Sequence, residues 1–321
     1  MRLEAPLEPG LTRELFEFWI SIFGEPMDLP REVFLGGEAL QNRNAVYLTK
    51  REGKLAGTCG LTMSISVPAL GGFGEVATDP GLRRSGIASE LCQQAVDDFR
   101  EWGGQALFLG TGNPAAVRIY HRLGWRKLAG ANVMANISSS SSPEEYIVDF
   151  FRGLGRATVR QASPAIRVPI IPLMTIPHDW QVLDANAAMF STRYAVQNSC
   201  MGLYRRYDHL ARDGRGAWFG AVTDGGPVVG LSTARLDSSG ACRVDGFALN
   251  SHMEIWPQLI EAAITWGRGG GASVTQAVVG VEDEERRALF DGLGFAGVGP
   301  GDPFDIGGRE VKSEILRRSE L

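Results

Sequence analysis

The chain has 321 residues, 44% hydrophobic and 21% charged, an ordinary globular composition that suits two domains of about 150 residues each. A net charge of -5 and a pI near 5.5 argue against general nucleic-acid or anionic-membrane binding. No apolar run approaches the roughly 18 residues that span a bilayer, and the start, Met1-Arg2-Leu3-Glu4-Ala5-Pro6, lacks a basic stretch followed by an apolar one, so a soluble, cytoplasmic protein is expected.

The first half reads as a helix over 11–23, with Leu15, Trp19 and Phe23 at helical spacing. Strands follow over 45–51, 55–66 and 72–78, the first two joined by a turn at Glu52-Gly53. Pro80-Gly81 ends the third. Residues 85–102 predict a helix with Ile87, Leu91, Ala95 and Phe99 on one face, stopped by Gly103-Gly104. A short buried strand over 106–110 comes next. Asn113 then caps a helix that has Pro114 at its first position and runs to Arg122. Gly124 breaks it, and a hairpin over 125–137 closes the set.

Ser138 to Ser142, followed by Pro143, reads as a linker. It divides the chain into an expected first domain over 1–137, a Ser-rich linker and connecting helix over 138–155, and a second domain over 156–321. The second half repeats the element order: strands over 217–222, 227–235 and 242–249, a helix over 254–267, a strand over 273–279, a helix over 283–292 and a closing strand pair between 295 and 316. A constant offset of 170 residues matches Gly110 with Gly280, the caps Asn113 and Asp283, Tyr120 with Phe290, Gly124 with Gly294, and Trp125 with Phe295. Shared order and shared offset together read as a tandem duplication. The expected fold is mixed α/β: two tandem domains, each a twisted, mostly antiparallel sheet flanked by helices.

Four cysteines (Cys59, Cys92, Cys200, Cys242) and four histidines (His121, His178, His209, His252) are scattered without ligand spacing, so neither a metal nor a disulfide is expected. The chemistry concentrates instead in 78–88. There a strand passes through Pro80 into Arg83-Arg84-Ser85-Gly86-Ile87-Ala88 and a helix. A helix start offers unpaired N–H groups and the positive end of a dipole, which suits a pyrophosphate. Gly86 lets phosphates approach the backbone without a Cβ, the two arginines add charge, and the small Ala88 keeps the first turn open.

This segment resembles motif A of the GNAT superfamily of N-acetyltransferases: Arg, two residues, Gly, one residue, then Gly or Ala, after a Pro. Arg83, Gly86 and Ala88 fill those places, with Pro80 ahead of them. The Asn113-capped helix, with Ala116, Tyr120 and Gly124-Trp125, is similar to the family's motif B, and together the motifs cover about 45–130. The resemblance implies acetyl-CoA as co-substrate, held by Val76, Ala77, Thr78, Arg83, Arg84, Ser85, Gly86, Ile87, Ala88, Ser89, Asn113 and Ala116. It also implies direct acetyl transfer to a primary amine of a small molecule or peptide. The amides of Val76, Ala77 and Thr78 would hold the pantetheine arm and polarise the thioester carbonyl. Tyr120 matches the family's general acid, against a reading as a core tyrosine with a satisfied hydroxyl. Glu75 is the candidate base, acting directly or through water, against a solvated strand residue or a partner for an arginine. His121, adjacent to Tyr120, points elsewhere on the helix.

At the same offset the cofactor motif of the second half becomes Met253-Glu254-Ile255-Trp256-Pro257-Gln258, and Phe290 stands where Tyr120 does. Both the phosphate site and the acid are lost, so a single active site in the first half is expected. Residues 163–207, rich in Trp, Tyr and Arg, read either as core or as the wall of an acceptor pocket between the domains. An acyl-CoA-binding sensor on the same fold is the alternative to an enzyme. The acceptor and the oligomeric state are not encoded legibly, though the net negative charge leans towards cationic amines.

Overall fold

The early runs of apolar residues pair as consecutive antiparallel strands, and the helix that follows covers them. The structure, a computed structural model, describes residues 1–139, 141–176, 178 and 180–319. Ser140 of the expected linker, and residues 177, 179, 320 and 321 of the expected second domain, lie outside the described residues.

Two compact units are present. The first comprises residues 1–150 together with 164–171 and 197–205; the second comprises 151–163, 172–196 and 206–321. The units thus interleave along the chain, where a division into consecutive blocks was expected. The helix expected in the linker falls in the first unit, and so do two short segments from the expected second domain.

The first unit carries β1 (Arg2–Glu4), α1 (Pro9–Phe23), α2 (Arg31–Phe34), β2 (Asn42–Arg51), β3 (Lys54–Ser64), β4 (Leu70–Thr78), α3 (Ile87–Glu101), β5 (Ala106–Gly110), α4 (Pro114–Arg122), β6 (Arg126–Lys127), β7 (Val133–Ile137) and α5 (Pro143–Phe150). Its sheet runs β1-β2-β3-β4-β5-β7-β6, antiparallel except for β4 beside β5. The periodicity of α3 buries the face that the sequence marks: Ile87, Leu91, Ala95 and Phe99 join Cys59, Leu61, Phe73 and Trp125 in one core. Burial of each of the larger ones, Ile87, Leu91, Phe99, Leu61 and Phe73, contributes about 1.5–3 kcal/mol. On α1, Leu15 and Trp19 are buried as their spacing predicts, whereas Phe23 is half exposed at the rim of a cavity. Ser142 and Glu145 form a reciprocal cap at the start of α5, each side chain accepting from the other's backbone N–H.

Helices α6 (Ile170–Thr175) and α7 (Gly202–Ala211) each begin among residues of the first unit and end among residues of the second. The second unit carries β8 (Ala157–Gln161), a small β9 (Val182–Asp184) and β10 (Met189–Phe190) pair, β11 (Gly216–Thr223), β12 (Val228–Leu236), β13 (Ala241–Ala248), α8 (Trp256–Gly269), β14 (Val274–Gly280), α9 (Glu284–Gly292), β15 (Ala296–Ile306) and β16 (Arg309–Ser319). Its main sheet runs β8-β11-β12-β13-β14-β16-β15, with β13 and β14 parallel. Strand for strand this is the order of the first sheet. Helices α4 and α9 differ by the same 170 positions that the sequence repeat gives.

Candidate functional site

The turn between β4 and α3 is shaped to receive an anion. Asp79 accepts the amide of Gly81 at 2.8 Å, and the Ser85 hydroxyl donates to the Leu82 carbonyl at 2.6 Å, fixing the loop from within. Arg84 and Gly86 have φ of 67° and 89°. Positive φ at Arg84 and Gly86 on either side of Ser85 gives the alternation of hand that, in αR–αL pairs, turns successive N–H groups to one side and makes an anion-binding nest. Gly86 caps α3, whose first-turn N–H groups have no intrahelical partner. A Cβ on Gly86 would meet nothing within 4 Å, so the space in front of the helix start is open. Arg83 and Arg84 are exposed and, among the described residues, form no ion pair.

Two irregularities open the sheet beside this loop. Pairing of β4 with β5 ends at Phe73 and Leu109, although β4 continues to Thr78. On the other side, Thr58 pairs with Ala77 and Gly60 with Gly74, so Glu75 and Val76 together face Cys59. This bulge puts Glu75 at φ 49°, an uncommon conformation for a non-glycine residue. The Thr58 hydroxyl donates to the Glu75 carbonyl at 2.8 Å and itself accepts from the Trp19 indole at 2.8 Å, which braces the bulge. The amide of Asp79 bonds the Ala56 carbonyl on β3. Backbone alternation then turns the Ala77 amide to β3 as well and leaves those of Val76 and Thr78 facing the gap.

The bulge carries the Glu75 carboxyl over β3, where a Cβ on Gly60 would stand 2.6 Å from Oε2. Glu75 is 9% exposed, and its carboxyl has no hydrogen-bond partner among the described residues. Burial raises its pKa to about 8; the nearby charge of Asp28 pushes it the same way, and Arg167 opposes.

Helix α4 supplies the opposite wall. Asn113 caps it by accepting the Ala115 amide at 2.9 Å, and Pro114 occupies the first turn. Tyr120 is buried against Trp125, its hydroxyl is unpaired among the described residues, and burial pushes its pKa well up. His121 is exposed and its Nδ1 lies 3.1 Å from the Trp125 carbonyl, a structural contact.

A cleft of about 1180 Å³ is lined by Val76, Thr78, Arg83, Arg84, Gly86, Ile87, Ala88, Ser89, Asn113, Ala116 and Tyr120, all anticipated, and also by Arg118, His121 and Arg122. Ala77 and Ser85 do not line it: Ala77 is buried with its amide turned to β3, and the Ser85 hydroxyl is spent on Leu82. A second cavity of about 430 Å³ holds Glu75, Tyr120, Glu25, Asp28, Ser199, Cys200 and Met201. Phe23, Val76, Asn113, Ala116 and Tyr120 line both, so the two spaces meet at Tyr120 and at the gap beside β4.

The far wall of the smaller cavity comes from 197–205. Asn132 bonds the Gln197 carbonyl and the Asn198 side chain at 2.8 Å each, and the Ser199 hydroxyl donates to Asp28 at 2.7 Å. Arg205 donates to the Met27 carbonyl at 2.8 Å. A Cβ on Gly110 would be 2.7 Å from the Ser199 Cα, so glycine is what lets this segment lie on the end of β5. Nearby, buried Arg167 pairs with Glu38 and stacks over Tyr204 at 4.0 Å. Asp28 and Ser199 escaped the sequence reading because 171 positions separate them, and neither carries a local signature.

In the second unit the matching region is filled. By the offset, Trp256 stands opposite Gly86 and Arg286 opposite Ala116. The Trp256 indole donates to the Gly246 carbonyl at 2.9 Å and packs on Trp180 with ring centres 5.0 Å apart. Arg286, 1% exposed, pairs with Asp245 and Asp283, donates to the Gly246 and Val182 carbonyls at 2.9 and 2.7 Å, and lies over the Trp256 ring. Strands β12 and β13 pair in constant register, without the bulge of the first unit.

Among the described residues no group of three or more His, Cys, Asp or Glu side chains could hold a metal, all four cysteines are free and buried, and no helix is long and apolar enough to cross a membrane.

Residues 10–125 match the model of the Acetyltransferase (GNAT) family. Among solved structures, the chain is similar to mutant forms of the spermidine/spermine N-acetyltransferase SpeG from Vibrio cholerae, at 14% identity over 51% of this chain and 94% of that one, with a TM-score of 0.39. It is also similar to the spermidine N-acetyltransferase from Vibrio cholerae in complex with CoA and spermine, at 16% identity over 51% and 95%, with a TM-score of 0.40. No curated protein matches the chain. No substrate follows from likeness at this level of identity.

Proposed function

We propose that the GNAT acetyltransferase domain over residues 10–125 transfers an acetyl group directly from acetyl-CoA to a primary amine of a small molecule, at one site in the first unit. The observation that carries this reading is the meeting of the two cavities: a cationic cleft in front of an open helix start joins, at Tyr120, a pocket that holds an unpaired buried carboxyl.

The residues present fit the co-substrate. The nest at Arg84 to Gly86 and the first turn of α3 would take the pyrophosphate, with Arg83 and Arg84 as counter-charges. The thioester supplies an activated acetyl carbon. The amides of Val76 and Thr78, facing the gap, suit the pantetheine arm and the thioester oxygen, where they would stabilise charge developing during attack. Ala77 drops out of that role because its amide is turned to β3. Glu75, as carboxylate, takes a proton from the substrate ammonium directly or through water. The freed amine attacks the acetyl carbon; the C–N bond forms as the C–S bond breaks, the nitrogen gives its second proton to water, and Glu75 releases the first to solvent. Tyr120 gives its hydroxyl proton to the leaving thiolate and recovers one from solvent. The products are an acetylated amine, the free thiol of CoA and one proton.

The pocket volume lies in the range of small-molecule sites, which favours a compact amine over a protein terminus. The second unit is proposed to be inactive, since Trp256 and Arg286 occupy what is open in the first. The test is calorimetry with acetyl-CoA followed by thiol release with an amine panel. One site per chain and amine-dependent thiol release are expected. Two equal sites would remove the inactive-copy reading, and tight binding without thiol release on any amine would mark a sensor.

A further inference from the structure

The two cavities of the first unit are sorted by charge. The larger cleft is lined by Arg83, Arg84, Arg118 and Arg122 and by no carboxylate. The smaller one is lined by Glu25, Asp28 and Glu75 and by no Lys or Arg. The first arrangement suits a nucleotide. The second is more than the reacting nitrogen requires, because one carboxylate is enough to take its proton.

The carboxylates sit at different depths. Glu75 is 9% exposed, unpartnered among the described residues, and lies at the bulge beside Val76 and Tyr120, where transfer would occur. A buried carboxyl with no donor is expensive to ionise unless a cation comes to it. Asp28 and Glu25 lie on the loop after α1, nearer the mouth, where Asp28 is partly buried and Glu25 is exposed. Asp28 is held in place: Oδ2 accepts from the Ser199 hydroxyl at 2.7 Å, and Oδ1 lies against Gly202, where a Cβ would come within 2.7 Å. Ser199 also accepts the Gly202 amide at 3.0 Å, so the hydroxyl has both its partners and keeps a fixed orientation. No cation among the lining residues neutralises Asp28.

We infer that the acceptor is a small amine bearing a second cationic nitrogen and no carboxylate, with the reacting nitrogen at Glu75 and the second at Asp28, which Ser199 orients. This rests on the transferase reading above and narrows its substrate class. A carboxylate-bearing amine, such as a free amino acid, would bring a negative charge among three others and be rejected by repulsion. A monoamine would satisfy Glu75 and leave Asp28 without a counter-ion.

The test compares three probes of one chain length, 1,4-diaminobutane, butylamine and 4-aminobutanoate, as acceptors in a thiol-release assay at saturating acetyl-CoA. The diamine is expected to exceed butylamine in kcat/KM by at least tenfold, with 4-aminobutanoate below both. In Asp28→Asn the diamine's advantage should shrink to about twofold or less, and Ser199→Ala should reduce it by a smaller factor. Acetyl-CoA binding by both variants reports that they are folded. Equal kcat/KM for diamine and butylamine, or an advantage that survives Asp28→Asn, overturns the inference and leaves the transferase reading standing. Failure of the unaltered protein to bind acetyl-CoA or to release thiol with any of the three overturns both.

Discussion

The two units share a strand order but not an open site. In the first, β4 parts from β5 and the space beyond is empty: Gly86 faces nothing within 4 Å, Ala116 is small, and Glu75 is unpaired. In the second, β13 pairs with β14 only over Ala241 to Arg243, so the strands part there too, yet Trp256, Trp180 and Arg286 occupy the region. The same strand order thus goes with a cleft in one unit and a packed core in the other. Two side chains at the helix starts decide which, and a site has to be read from its residues, not from its fold.

Moving residues from one unit to the other tests this contrast. Gly86→Trp copies Trp256 into the open helix start. A left-handed conformation burdens a bulky residue with about 1–3 kcal/mol, and the indole would occupy the phosphate position. Acetyl-CoA heats should vanish in calorimetry; affinity within threefold of the unaltered protein would show that the cofactor lies elsewhere. Tyr120→Phe copies Phe290. The lost hydroxyl has no protein partner, so melting should hardly change, whereas kcat should fall by about 10²–10³ with acetyl-CoA affinity retained. A kcat within twofold would return Tyr120 to the core. In the reverse direction, Arg286→Met leaves Asp245 and Asp283 without their cation. Removing one partner of a buried pair costs about 3–5 kcal/mol, and denaturant melts should show a loss of that order. A neutral or stabilising effect would mean that methionine packs well enough to replace the network.

Much of this contrast was legible in the sequence, and the reasons differ by element. The strand at 106–110 and the helix from Pro114 to Arg122 match their expected bounds, because a cap, a first-turn proline and a terminating glycine act within a few residues. The loss of glycine at Trp256 was visible by offset alone. Arg286 was not: nothing within Glu284-Glu285-Arg286-Arg287 marks one of its charges for burial, and it is the tertiary approach of Asp245, 41 positions away, that pairs with it in the core. The bulge at Glu75 and Val76 leaves no mark either, since it is a mismatch between strand lengths and not a residue type. The pocket wall from 197–205 falls within the stretch 163–207 that composition marks as core or pocket wall, but its contact with Asp28 was not legible: chain distance hides contacts that no periodicity encodes.

The smallest expected effect on turnover is also the one with the sharpest pH signature. Glu75 titrates near 8 in the fold, against an ordinary 4.5, because burial and Asp28 both disfavour its charge. A carboxyl with a raised pKa keeps its proton in the native state between those values while the unfolded chain has already released it. Its favourable contribution is therefore complete below 4.5 and declines as pH climbs to about 8, at about 1.4 kcal/mol per pH unit at most. Glu75→Gln, neutral at every pH, should be increasingly more stable than the unaltered protein across that window, and the two melting curves should converge below it. Turnover should behave in the opposite sense. Only the carboxylate accepts a proton, so kcat/KM of the unaltered protein should rise through about pH 8, whereas the glutamine variant should be about tenfold slower at high pH and flatter. A bound ammonium favours the carboxylate, so saturating amine should move the inflection in kcat below that in kcat/KM. Parallel stability curves for the two proteins from pH 5 to 9 would show that Glu75 is ionised throughout. The open pocket would then be better hydrated than its burial implies, and a rise of kcat/KM through about pH 8 would have to come from a group other than Glu75.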